Sequence, residues 1–248
     1  METIGLIAAM PSEIKPVLKR IGRWKGCRCG SYRAYRFQIS AWNCILVQCG
    51  IGMKRAAQAT KSLLAEWQPQ RLVSFGVSGA LEHDVSVGDV VFIRQACQLK
   101  DGRVGAPRAL APLSSGAKLA AAQALAGRAA CWDEGRTITT KGSQLASLEE
   151  GVPVHPVLDM ETFAIAEMAA AAGIPVLSLR SISDNPKEPL PFRIEDWYDP
   201  EDDLAFRRIV LDVIRQPRLL PRLWKVTQNT NLAAENLAVA LFAVLSQI

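Results

Sequence analysis

Three carboxylates in this chain stand where an apolar run gives way to a turn, the place from which an acid can do chemistry on a bound molecule. Asp184 ends the run Val176-Leu177-Ser178-Leu179-Arg180-Ser181-Ile182-Ser183-Asp184, and Glu161 opens the helical pattern Thr162-Phe163-Ala164-Ile165-Ala166-Glu167-Met168, which Gly173 closes. Glu13 follows Met10-Pro11-Ser12 at the exit of the first apolar run. A carboxyl group whose pKa is lifted by burial can donate a proton to a leaving group, and a fixed carboxylate can steady a developing cation. Strand ends are where α/β sheets gather such groups. Each acid also has a plainer reading: Glu13 and Glu161 complement a helix N-terminus, and Asp184 is a turn or capping residue. Glu167, deeper in the same helix, reads as surface or structural.

The elements that must position these acids follow from periodicity. Ile4 to Ala9 is a short continuous apolar run, as expected of a strand buried on both faces. Pro11 and Ser12 suit the first turn of a helix running through Ile14, Val17, Leu18 and Ile21. Arg33 to Ser40 and Trp42 to Val47 read as two strands of a meander, and Gly50-Ile51-Gly52 turns into a helix carrying Ala56, Ala59, Leu63 and Trp67. Glycines there let backbone N–H groups approach an anion or a ribose, with simple close packing an equal alternative. Arg71 to Leu81 is a strand ending in small residues, and Gly88-Asp89 turns into the strand Val90 to Ile93. Leu99 to Pro112 reads as a loop, Ser114 to Leu125 as a helix, and Arg136 to Thr140 and Val157 to Asp159 as strands. Strands alternate with helices and no linker-like composition or repeat intervenes. The pattern predicts a single α/β domain over 1–248 with a parallel or mixed sheet.

Bulk properties narrow the class. With 248 residues, 49% of them hydrophobic, the chain can build one sizeable core. Its net charge of +5 is split between an early group, Lys15 to Arg36, and a late one, Arg207 to Lys225, without the aromatic–basic interleaving of a nucleic-acid module. No nucleic-acid partner is expected. Six cysteines lack a CxxC pair and His83 and His155 are isolated, so free thiols in a reducing cytoplasm are expected and no metal. The N-terminus has no basic start and reads as a first strand rather than a signal peptide. No apolar run reaches the length of a membrane span.

The motifs, taken together, resemble the nucleoside phosphorylase/nucleosidase superfamily, which includes purine nucleoside phosphorylases and methylthioadenosine/S-adenosylhomocysteine nucleosidases. The matching pieces are Ile4 to Glu13, Cys49-Gly50-Ile51-Gly52, Gly76-Val77-Ser78-Gly79-Ala80-Leu81, Val87 to Val91, Asp159-Met160-Glu161 and Arg180 to Asp184, in the family's order. The resemblance implies a twisted, mixed, partly barrel-like central sheet flanked by helices, and cleavage of a nucleoside's N-glycosidic bond. It assigns Asp184, steadied by Ser183, as the acid that protonates the base, and Glu161, with Met160, as the group on the ribose. Glu13 then serves the incoming nucleophile. Gly52, Val77, Ser78, Gly79 and the loop Ser143-Gln144-Leu145 would line the substrate. No cofactor is implied beyond phosphate as a co-substrate.

Several choices stay open at this level. Phosphorolytic members carry arginines where this chain has Ser74-Phe75 and Pro11-Ser12-Glu13. Their absence leans toward water, because bidentate guanidinium contacts suit phosphate. An acid at Asp184 suits a 6-aminopurine, hence adenine. The tail, from Pro189-Leu190-Pro191 through Val213 to Pro221 to the last alanine-rich helix, resembles the hopanoid-associated phosphorylases and implies adenosylhopane, a lipid-linked nucleoside. Residues 206–248 form a basic and apolar helical tail. Its segment 206–223 is either a membrane-surface contact or a helix packed on its own domain. Asn231 to Leu245 reads as core or subunit interface. The superfamily commonly forms homo-oligomers. The alternatives are a methylthioadenosine/S-adenosylhomocysteine nucleosidase and, from another class, a non-catalytic nucleoside-binding or membrane-associated scaffold.

Overall fold

The computed structural model describes residues 2–140, 155–187 and 220–248. Ser143, Gln144, Leu145 and the segment 206–219 lie outside the described residues. The first strand, β1 (Thr3–Ala8), shows why its sequence is apolar throughout: Ile4, Leu6 and Ala8 enter one core while Ile7 enters the other. It lies between β4 (Trp42–Gln48) and β5 (Arg71–Ala80), parallel to both.

The remaining strands are β2 (Lys25–Cys29), β3 (Tyr32–Ile39), β6 (Val90–Lys100), β7 (Arg103–Val104), β8 (Arg108–Ala109), β9 (Cys131–Thr139), β10 (Pro156–Asp159) and β11 (Val176–Asp184). They form a mixed sheet of order β10-β9-β6-β11-β5-β1-β4-β3-β2, with β7 and β8 added to β6. β10 runs parallel to β9 and also pairs antiparallel with β5, Val157 opposite Ala80 and Leu158 opposite Gly79. That second pairing closes β5, β11, β6, β9 and β10 into a barrel, from which β1, β4, β3 and β2 extend as an open wing.

Helices cover both faces. On one, α1 (Pro11–Ile21), α3 (Ser115–Ala124) and α5 (Leu220–Leu245) pack Ile14, Val17, Ala121, Leu237 and Leu241 against Leu6, Phe75, Phe92 and Leu179. On the other, α2 (Met53–Trp67) and α4 (Thr162–Ala171) pack Ala59, Leu63, Ile165 and Ala169 against Ile7, Val47, Leu72 and Ile182. Among the described residues, no helix is long and apolar enough to cross a membrane.

The sheet departs from the sequence reading in three places, the first being β9, which begins at Cys131 rather than Arg136. The meander has a third strand, β2, whose Lys25, Gly26 and Arg28 are exposed at the sheet's edge, so no apolar alternation marks it. Residues 99–112 are not simply a loop: β6 continues to Lys100, and the two-residue strands β7 and β8 pair back onto it. Such short strands are made by ladder hydrogen bonds and carry no periodicity of their own. The last helix also begins earlier than Asn231: its described side chains before Ala233, Trp224 among them, are exposed or half-buried, and burial sets in only from Ala233.

Candidate active site

Glu13 sits in the first turn of α1, where Pro11 starts the helix without an N–H to satisfy. It does more than complement the helix dipole. Its Oε2 accepts the backbone N–H groups of Ala9 (3.0 Å) and Met10 (2.8 Å), and its Oε1 accepts that of Val77 (3.0 Å). The side chain therefore fastens the exit of β1 to β5, and it is only 3% exposed. Burial pushes its pKa up, against the opposing pull of those amides and of Arg180. A β-carbon at Gly76 would stand 2.7 Å from Glu13 Oε1, so the neighbouring strand must be bare there.

Asp159, Met160 and Glu161 leave β10 together. Asp159 accepts from Thr139 Oγ1, from the Thr162 backbone N–H (2.9 Å) and hydroxyl, and from Arg180 Nε (3.3 Å) and Nη2 (3.0 Å). Arg180, from β11, also donates to Ser74 Oγ (2.8 Å), Thr162 Oγ1 and the Leu179 carbonyl. The ion pair is sealed, Asp159 being 4% and Arg180 2% exposed. By taking the Thr162 N–H, Asp159 caps α4, although Glu161 occupies the cap position. The Glu161 side chain makes no capping bond and reaches instead to the Gly52 N–H, which donates to its Oε1 at 2.8 Å. Burial first, then the Asp159 charge, with Glu13 also contributing, push Glu161 up to about 8; the Gly52 amide and Arg180 oppose. Met160 is half-buried between the two acids.

Asp184 ends β11, past an irregularity in its pairing with β5 that sets it opposite Gly79. Gly79 is also the partner of Leu158, so one residue joins the strand ends that carry Asp159 and Asp184. Ser183 Oγ donates to Asp184 Oδ1 at 2.7 Å. A β-carbon at Gly79 would lie 2.6 Å from Asp184 Oδ2, so the carboxyl rests on a floor without side chain. Burial pushes the Asp184 pKa up and the Ser183 hydroxyl opposes it. Ser78 Oγ, nearby on β5, is buried without a hydrogen-bond partner among the described residues.

The fold thus brings Glu13, Gly52, Val77, Ser78, Gly79, Met160, Glu161, Ser183 and Asp184 to one edge of the sheet. Sequence reasoning counted Asp159 and Arg180 among the matching motif pieces but gave neither a role. A signal was present: an arginine inside the apolar run of β11 has to be paired if that strand is buried. Chemically, the edge holds three carboxyl groups, on Glu13, Glu161 and Asp184, each lifted by burial to retain a proton more readily than a free acid, Glu13 being held besides by three amides.

Buried, separately held acids at the carboxyl edge of a half-closed α/β sheet are an arrangement able to assist bond cleavage by proton transfer and charge stabilisation. The chain belongs to the phosphorylase superfamily, whose family model matches residues 3–215, and it is an N-glycosyl-cleaving enzyme. It is 28% identical over 198 residues to the 5′-methylthioadenosine/S-adenosylhomocysteine nucleosidase of Actinobacillus succinogenes, covering 73% of this chain and 85% of that protein. The nucleosidase of the same description from Desulfotalea psychrophila is 25% identical over 201 residues, covering 75% and 85%. Among solved structures, the Neisseria meningitidis nucleosidase in complex with methylthio-immucillin-A superposes with a TM-score of 0.69 at 20% identity, covering 100% of both chains. The futalosine hydrolase of Helicobacter pylori gives 0.70 at 17% identity, covering 100% of this chain and 98% of that one.

Proposed function

We propose that this enzyme releases adenine from an adenosine bearing a 5′ substituent, with water as the nucleophile. Asp184 carries the reading: a carboxyl lifted by burial, oriented by Ser183 and set over the bare Gly79, is equipped to give a proton to N7 of an adenine. As the C1′–N9 bond breaks, its electrons pass to the base and the proton from Asp184 neutralises them. Glu161 holds the ribose hydroxyls, with Met160 against the sugar, and in its ionised form, which the Gly52 amide and Arg180 favour, it stabilises the ribosyl cation. Glu13 orients a water on the opposite face and takes its proton as the water oxygen bonds to C1′. The products are adenine and a free sugar. The backbone from Val77 to Gly79 lies along the base, and no cofactor takes part.

Water is favoured over phosphate because the guanidinium that acts on Glu13, that of Arg180, is already paired with Asp159. Ser74, in place of an arginine, serves as one of its acceptors. The names of the relatives favour a thioether at the 5′ position. A second reading, adenosylhopane in hopanoid biosynthesis, keeps the support of the tail resemblance and of Trp224, which is 66% exposed in the first turns of α5 where a lipid surface would meet it. In either case the enzyme acts in the cytoplasm as a homo-oligomer. The test is adenine release from methylthioadenosine, S-adenosylhomocysteine, adenosine and adenosylhopane, each with and without phosphate. Release independent of phosphate is expected. No release from any of them would sink the proposal, and strict phosphate dependence would overturn the choice of water.

A further inference from the structure

The strand end that carries Asp184 is fastened on both sides by one turn, residues 85–89. Before the acid, the Gly88 N–H donates to the Ile182 carbonyl at 2.8 Å, and the Ile182 N–H donates to the Asp89 carbonyl at 2.9 Å. After it, the Asn185 side chain, which is buried, donates from Nδ2 to the Val85 carbonyl at 2.8 Å and accepts the Lys187 N–H at 3.0 Å. Between these two anchors lies the irregularity that sets Asp184 opposite Gly79. Where a ladder is interrupted, the direction of the strand is decided by what holds its flanks.

The turn is itself braced. The Asp89 side chain accepts the backbone N–H groups of Ser86 (3.0 Å) and Ala130 (2.9 Å) and the indole N–H of Trp132 (2.9 Å). The Gly88 carbonyl accepts the Ser181 hydroxyl at 3.3 Å and, at 2.9 Å, Nδ2 of Asn236, which arrives from α5, 148 residues away in sequence. Asn236 is fully buried, and its Oδ1 has no hydrogen-bond partner among the described residues. A buried amide oxygen left unpaired is destabilising, and a leucine at this core position would avoid it. What the amide supplies is a donor, aimed at the turn behind Asp184.

We infer that Asn185 and Asn236 are positioning residues for the proton transfer: through the turn 85–89 they hold the Asp184 carboxyl over Gly79. The inference rests on the reading of Asp184 as the acid and extends it to two residues that touch no substrate, one of them on the last helix. A proton passes only across a well-aligned hydrogen bond, so a small displacement of the acid slows the step even where the fold survives. A loosened strand end also admits water to a carboxyl that burial has lifted.

Asn185→Ala and Asn236→Leu are each made in the wild type and in Asp184→Asn protein. In the wild type, kcat for adenine release from methylthioadenosine is expected to fall about tenfold to a hundredfold, with KM changed less than about twofold. In Asp184→Asn protein no further fall is expected, because the group they position is gone. An equal fall in both backgrounds overturns the inference. The Asp184 carboxyl is also followed by carbon-13 NMR, its resonance identified by its absence from Asp184→Asn. Its titration midpoint is expected to drop by about one pH unit in each variant, toward the value of an exposed aspartate. An unmoved midpoint removes that residue from the assignment, and unmoved midpoints in both overturn the inference; either variant decides by itself if the other does not fold. If the wild type releases no adenine, or Asp184→Asn releases it at the wild-type rate, the acid reading falls, and the NMR midpoint then decides the positioning by itself.

Discussion

Asp159 and Glu161 leave the same strand two residues apart, yet they belong to different regions of the molecule. Asp159 points into the closed barrel, where Arg180 and the hydroxyls of Thr139 and Thr162 occupy it from every side. Glu161 points along the open edge, where one backbone amide holds it and burial lifts its pKa to about 8. The acid that is fully satisfied is the one that does the structural work of capping α4. The acid with one hydrogen-bond partner among the described residues is the one the proposed function places against the substrate. Neutralising one charge at depth thus allows its neighbour to be kept in reserve at the edge, and Arg180, by attracting both Glu13 and Glu161, keeps the cluster of acids from repelling itself apart.

Asp159→Ala attacks the sealed side of this contrast. It strands a buried guanidinium, and removing one partner of such a pair costs about 3–5 kcal/mol. Urea denaturation is expected to show that loss; a midpoint close to the wild type's would mean that Arg180 finds equivalent partners among Ser74, Thr162 and the Leu179 carbonyl.

Glu161→Gln attacks the open side. Adenine release is expected to fall about a hundredfold to a thousandfold, on the scale of losing one preorganised electrostatic contact, while the fold survives. The same variant has a signature in pH. The Glu161 pKa is near 4.5 when unfolded and about 8 when folded, so between those values the folded chain keeps a proton the unfolded chain has released. Its contribution to stability is full below pH 4.5 and is lost as the pH rises through about 8. Melting temperatures followed from pH 5 to 9 are expected to decline more steeply for the wild type than for Glu161→Gln. Parallel curves would remove Glu161 from the set of proton-holding acids.

Much of this contrast was readable before the structure. Apolar runs mark β1, β5 and β11 because both of their faces are buried, and the turns after them place Glu13 and Asp184 at one edge. Asp159 and Glu161, in contrast, are two acids flanking a methionine, with nothing in the local pattern to tell the sealed one from the open one. That distinction depends on Arg180, which arrives from another strand, and on the closing pair between β10 and β5. The exposed edge strand β2 and the two-residue strands on β6 were hidden for a similar reason, since ladder hydrogen bonds rather than side chains define them.

The central claim is that a protonated Asp184 drives departure of the base. Single-turnover adenine release from methylthioadenosine by Asp184→Asn, compared with the wild type, tests it most directly. The amide keeps the shape and can still contact the base, but it has no proton to give. A loss of about a hundredfold to ten-thousandfold is the expected result, with the melting temperature held. Release at the wild-type rate would contradict the assignment and move the acid elsewhere in the cleft.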